Sequence, residues 1–164
     1  MNRGLIMPSR PYLTVAATQS VADQLADIRV AAMRPSLEAA GRFDPQRARD
    51  RFLRSFNPDE TEMIVQGETI VGFYVFCSRS DHLFLDHLYI LPEFQGYGIG
   101  KAIIQGLKEQ ARARGMPIRL MALNGSPANA FYQSLGFTLM SADALDSTYE
   151  WRGDRGAGGA SAAG

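Results

Sequence analysis

Apolar residues recur along this chain with two periods, and the switches between them mark its elements. In YLTVA (Tyr12 to Ala16) the pattern predicts a first strand. In VADQLADIRVAAM, Val21, Leu25, Ile28 and Ala32 fall three or four residues apart, the spacing of an amphipathic helix. FDPQRARDRFLRSF predicts a second helix, with Asp44 as N-cap and Pro45 as its first residue. TEMIVQ and TIVGFYVFC, joined at Gly67-Glu68, are rich in β-branched and aromatic residues and predict a hairpin. HLFLDHLYI predicts a strand stopped by Pro92, and IGKAIIQGLKEQARARG a helix ending at Gly115. Next come a strand (PIRLMAL), a short helix closed by Gly136 (PANAFYQSL), and two strands, FTLM and STYEW. Runs of strands with helices between some of them predict an α/β domain with both hairpins and at least one crossover.

Composition narrows the field. The 164 residues suit one domain, and 46% hydrophobic with 21% charged residues is an ordinary globular balance. The 17 basic and 17 acidic residues cancel, which argues against non-specific nucleic-acid binding. Cys77 is the sole cysteine, so no internal disulfide and no cysteine-based zinc site is expected. No stretch has the length of a signal peptide's apolar core or of a membrane span, and a cytoplasmic protein is expected. The Gly/Ala-rich segment 152–164 reads as a disordered tail and 1–10 as a flexible N-terminus, leaving 11–151 as the domain.

Candidate chemistry begins at LPEFQGYGIGKAII, where a strand runs through glycines into a helix. Free N–H groups, the helix dipole and the close approach that glycine allows make such a junction an anion site. A P-loop would need Gly at Gln95 and Ser or Thr at Ala102. A dinucleotide loop starting at Gly96 or Gly98 would need its third glycine at Lys101 or Ile103. Neither pattern fits. What stands is Gln95-x-x-Gly98-x-Gly100. With its flanking strand and helix, it resembles motif A of the GNAT family of N-acetyltransferases. PIRLMALNGSPANAFYQSLGF looks like the family's motif B, in the right order downstream.

This resemblance covers roughly residues 11 to 151 and implies a mixed, mostly antiparallel α/β (α+β) sheet of about six or seven strands, flanked by about four helices. In that fold the fourth and fifth strands splay to form a slot for acetyl-CoA. Carried over by position, the backbone of Leu88, Tyr89 and Ile90 would meet the pantetheine arm. The N–H of Leu88 or Tyr89 would bond the thioester carbonyl. Gln95, Gly96, Tyr97, Gly98, Ile99, Gly100 and Lys101 would bind the pyrophosphate, chiefly through backbone amides. Asn124 and Asn129 both suit the motif B asparagine, and the sequence does not choose between them. Tyr132 falls where many relatives hold a tyrosine beside the thiol sulfur, the place of a general acid.

Many relatives place a glutamate on the fourth strand where this chain has Phe84. Asp86 shares that strand face two residues on and is the candidate base. His87 points the other way unless a bulge intervenes. The spacing of His82 and His87 puts them on opposite strand faces, so no metal site is expected. Cys77, in an apolar strand, reads as a small hydrophobe rather than a nucleophile.

In the fold implied by the resemblance, the acceptor lies against the first helices and the middle strands, which here offer Arg29, Met33, Arg34, Phe73 and Tyr89. An arginine there would suit an acceptor carrying a carboxylate or phosphate. The expected acceptor is a primary amine of a small molecule or peptide. A catalytically inert acyl-CoA sensor is the alternative. Members of the fold often dimerise, so a homodimer is compatible with the sequence.

Overall fold

The computed structural model describes residues 11–153, so the expected flexible N-terminus and all but the first two residues of the expected tail lie outside the described residues. Seven strands and four α-helices follow in the order β1 (Leu13–Ala16), α1 (Ala22–Ala39), α2 (Pro45–Ser55), β2 (Thr61–Gln66), β3 (Thr69–Ser78), β4 (Leu83–Ile90), α3 (Ile99–Arg114), β5 (Ile118–Leu123), α4 (Pro127–Ser134), β6 (Thr138–Ala142) and β7 (Asp146–Trp151). The strands hydrogen-bond as β1-β2-β3-β4-β5-β7-β6. The β4–β5 pair is parallel, and the β1–β2, β2–β3, β5–β7 and β6–β7 pairs are antiparallel. The mixed, mostly antiparallel sheet and its helices match the sequence expectation.

One difference is instructive. The apolar spacing ends at Met33, yet α1 continues through Pro35 to Ala39. Proline lacks an N–H and disfavours the interior of a helix, so its presence would ordinarily mark an end. The last turns keep their helical backbone bonding, with Ala40 N donating to Ser36 O at 3.1 Å, and Arg34 pairs with Glu38 across them.

The described chain divides into two units, residues 11–75 with 87–100 and residues 76–86 with 101–153. In the first, α1 turns Leu25, Ala26 and Ile28 inward. Asp44 caps α2 by accepting a hydrogen bond from Arg47 N at 3.1 Å, beside the expected Pro45. A cap of this kind contributes about 1 kcal/mol. Leu25, Ile28, Phe52 and Phe73 form a core with Val75. Phe52 and Phe73 are tilted rings 5.2 Å apart. Burying each such ring contributes roughly 1.5–3 kcal/mol.

In the second unit, β5 is bonded to β7 from Ile118–Trp151 to Leu123–Asp146. Helix α3 buries Ile103, Ile104, Leu107 and Ala111, a stripe at helical spacing. Lys108 is also buried, and its Nζ donates to the carbonyl of Leu135 just beyond α4 while lying 5.2 Å from the Trp151 ring. The parallel β4–β5 ladder joins Leu83, Phe84 and Leu85 to Ile118, Arg119 and Leu120, and it stops there.

Candidate active site

In the first unit the site is built on the end of β4. Leu91 N donates to Val71 O at 2.8 Å, tying the strand's exit to β3. A 3₁₀ turn over Pro92–Phe94 then leads into the glycine loop. Gln95 bends back so that its Nε2 donates to Ile90 O at 2.8 Å. The side chain of the motif's first residue thus clamps loop to strand, leaving ligand contacts to the backbone.

Gly96 and Gly98 sit at φ +85° and +86°, a conformation that side chains rarely adopt. A Cβ at either would meet no atom within 4 Å, so conformation rather than crowding demands glycine. At Gly96 and Gly98 the loop therefore presents backbone free of side chains, with Tyr97 between them. Ile99 is buried and anchors the start of α3, while Tyr97 is exposed. These features fit a phosphate-bearing ligand.

Two elements before the loop, Gly72 holds β3 against β4. A Cβ there would stand 2.3 Å from Tyr89 O and 3.1 Å from Ile90 Cα. Nothing in the local pattern of β3 singles Gly72 out. Only the register of its neighbours reveals that it sets the path of the strand expected to face the cofactor.

The same strand carries an aromatic cluster. His87 and Tyr89 alternate onto one face, with Nδ1 of His87 3.3 Å from the Tyr89 hydroxyl. That hydroxyl also lies 3.4 Å from the sulfur of Met33 on α1. The His87 ring stands edge-on to Phe52 at 5.7 Å, and Tyr89 packs on Phe73 at 5.6 Å. Three of the expected acceptor residues, Met33, Phe73 and Tyr89, are thus brought together, joined by His87 and Phe52. Arg29 is buried on α1 and donates through Nη1 to Ala48 O. Arg34 turns away, paired with Glu38 and stacked over Phe43 at 5.0 Å.

The second unit holds the remaining candidates. Asp86 is exposed on β4, one residue beyond the last β4–β5 pair. Lys101 is exposed in the first turn of α3. Tyr132 is buried on α4, its ring against Phe131 at 5.1 Å and Phe137 at 5.5 Å.

The two asparagines differ. Asn129 donates to Leu123 O and Ser126 O and accepts from the Tyr149 hydroxyl at 2.8 Å, closing the β5–α4 turn. Both of its amide protons are used within the fold. Asn124 is exposed, donates to Asp143 O at 2.9 Å and accepts from Ser147 at 2.6 Å. Asp143 orders that turn, because its carboxylate accepts from the N–H groups of Asp146 and Leu145. These bonds hold its carboxyl below the usual range.

A strand, a glycine loop and a helix are thus followed by a strand–asparagine–helix segment bearing a buried tyrosine, the order expected from the sequence. The model of the Acetyltransferase (GNAT) family matches residues 23–137, and the chain belongs to that family. The cofactor of that family is acetyl-CoA. Among solved structures, the chain resembles the PaiA N-acetyltransferase of Thermoplasma acidophilum, crystallised with coenzyme A (TM-score 0.72, 15% identity, covering 87% of this chain and 99% of that one). It also resembles PH1933 of Pyrococcus horikoshii (0.69, 18%, 88% and 99%). An acetyltransferase of Thermus thermophilus is similar too (0.67, 19%, 88% and 98%). At such identities the likeness is one of fold. A search of curated protein sequences finds no match.

Proposed function

We propose that this chain transfers an acetyl group from acetyl-CoA directly to a primary amine of a small molecule or peptide, in the cytoplasm. The observation that carries the reading is the glycine loop, which presents side-chain-free backbone at the left-handed Gly96 and Gly98 while Gln95 clamps it to β4. When bound, acetyl-CoA supplies an activated acyl group, and the chain supplies position and proton transfer.

The amides of residues 95–101 hold the phosphates, with Lys101 adding a positive charge. The N–H of Leu88 or Tyr89 serves as the oxyanion donor, and Leu88, Tyr89 and Ile90 offer strand-like backbone bonds. The β4–β5 ladder stops before these three residues, which favours that role. Of the two asparagines, Asn124 is the one with a donor to spare, so it is the better contact for the pantetheine arm.

Tyr132 is the general acid, since a phenolic O–H can hand its proton to a departing thiolate. Asp86, exposed at the end of the ladder, accepts the ammonium proton through water. Release of free thiol from acetyl-CoA in the presence of a panel of primary amines tests the reading. Amine-dependent release supports the enzyme. Tight acetyl-CoA binding with no release for any amine would instead favour an acyl-CoA sensor.

A further inference from the structure

Arg29 is only 9% exposed, yet among the described residues it makes no ion pair. Its Nη1 donates to Ala48 O, and its buried Nε finds no acceptor. A guanidinium has five N–H donors, and a buried charge is ordinarily paired. The carboxylates of α1 and α2 are engaged elsewhere: Asp23 and Asp27 bind Arg49, Glu38 binds Arg34, and Asp50 takes a bond from Gln46. The helix pair therefore contains a buried cation with donors to spare and no counter-charge.

Its position gives that charge a use. Arg29 lies one helical turn before Met33, whose sulfur meets the Tyr89 hydroxyl. Helix carbonyls point toward the C-terminus, so Ala48 O leans toward the turn carrying Phe52, which meets His87 edge-on. Arg29 thus borders the layer of Met33, Phe52, Phe73, His87 and Tyr89. That layer is mostly apolar and has two polar tips. We propose that Arg29 is the receptor for a carboxylate on the acceptor, which makes the acceptor an amino-acid-like amine with an apolar body. This rests on the acetyltransferase reading and narrows its substrate class. A planar carboxylate matches the guanidinium fork and supplies the missing counter-charge.

The test compares matched pairs with and without the carboxylate: phenylalanine with β-phenylethylamine, leucine with isoamylamine, and alanine with ethylamine. Binding is read by calorimetry without acetyl-CoA, and turnover by thiol release. At least one acid should bind roughly 10- to 100-fold tighter than its decarboxylated partner. Arg29→Met should reduce that preference to within about threefold, acting on KM more than kcat. Its unliganded melting temperature should equal or exceed the wild type's, because removing an uncompensated buried charge is neutral or stabilising. Arg29→Lys should restore part of the preference.

Wild-type protein with no carboxylate preference in any pair would overturn the proposal, whatever the variants do. So would Arg29→Met weakening acids and plain amines equally, or failing to fold, since Arg29 would then be structural. Stabilisation by sodium acetate without a preference among the pairs would mean a free-anion site and would also overturn it. Failure of acetyl-CoA to bind would sink the transferase reading but leave the binding comparison intact.

Discussion

The glycine loop and the aromatic cluster both adjoin β4, the loop beyond its end and the cluster on one of its faces, and they are built in opposite ways. The loop is made of backbone: Gly96 and Gly98 hold positive φ, and the one side chain that matters, Gln95, is used to fasten it to Ile90. The cluster is made of side chains from four elements, with Met33 from α1, Phe52 from α2, Phe73 from β3 and His87 and Tyr89 from β4. A backbone site needs particular residue types in a short run. A side-chain site needs only a shape, which many sequences can make. The first construction suits a donor shared across a family, and the second suits an acceptor that differs from member to member.

If the loop acts through bare backbone, Gly98→Glu should have the largest effect. It forces a side chain onto a φ of +86° and puts negative charge where phosphates are expected. Acetyl-CoA affinity should fall by roughly 100-fold or more, about 2.7 kcal/mol, by calorimetry. The circular dichroism spectrum should stay unchanged, because the strain falls on a loop residue outside the helices and strands. Tyr132→Phe tests chemistry rather than either binding region: kcat should drop by about 100-fold while acetyl-CoA affinity holds. Equal turnover would remove Tyr132 from the mechanism.

Gly72→Ala probes the strand that the two regions share. The new methyl group would collide with the backbone at Tyr89 and Ile90, so β4 must shift. A loss of about 1–3 kcal/mol in denaturant unfolding is expected, with both acetyl-CoA and acceptor binding weakened together. An effect on one alone would show that loop and cluster are independent.

The smallest effect should come from Asp143→Ala, at the turn that holds Asn124. The Asp143 carboxyl is held low by the N–H groups of Asp146 and Leu145, so its stabilisation is present above the ordinary carboxylate range. That stabilisation is lost as pH falls through the lowered value. The variant should melt slightly below wild type at neutral pH, and the difference should close in acid. A gap that persists in acid would assign the effect to packing instead.

The same contrast explains what is legible in the sequence. The hydrophobic periods locate the strands and helices, and the capping of α2 by Asp44 is readable because caps are local. The loop is readable because glycines at fixed offsets imply a backbone conformation. Pro35 misleads, since α1 runs on to Ala39 past a residue that usually ends a helix. Gly72, Phe52 and the burial of Arg29 are not legible. Each depends on which distant segment packs opposite, and neither spacing nor composition records that. Strand alternation turns His87 away from Asp86, and that same alternation is what brings it to Tyr89.

The most direct test of the central claim is calorimetric titration of wild-type and Gly98→Glu protein with acetyl-CoA, with ATP and NADH as controls. The wild type should bind acetyl-CoA selectively and saturably, and the folded variant should not bind it. Failure of the folded wild type to bind acetyl-CoA, or equal binding by both proteins, would contradict it.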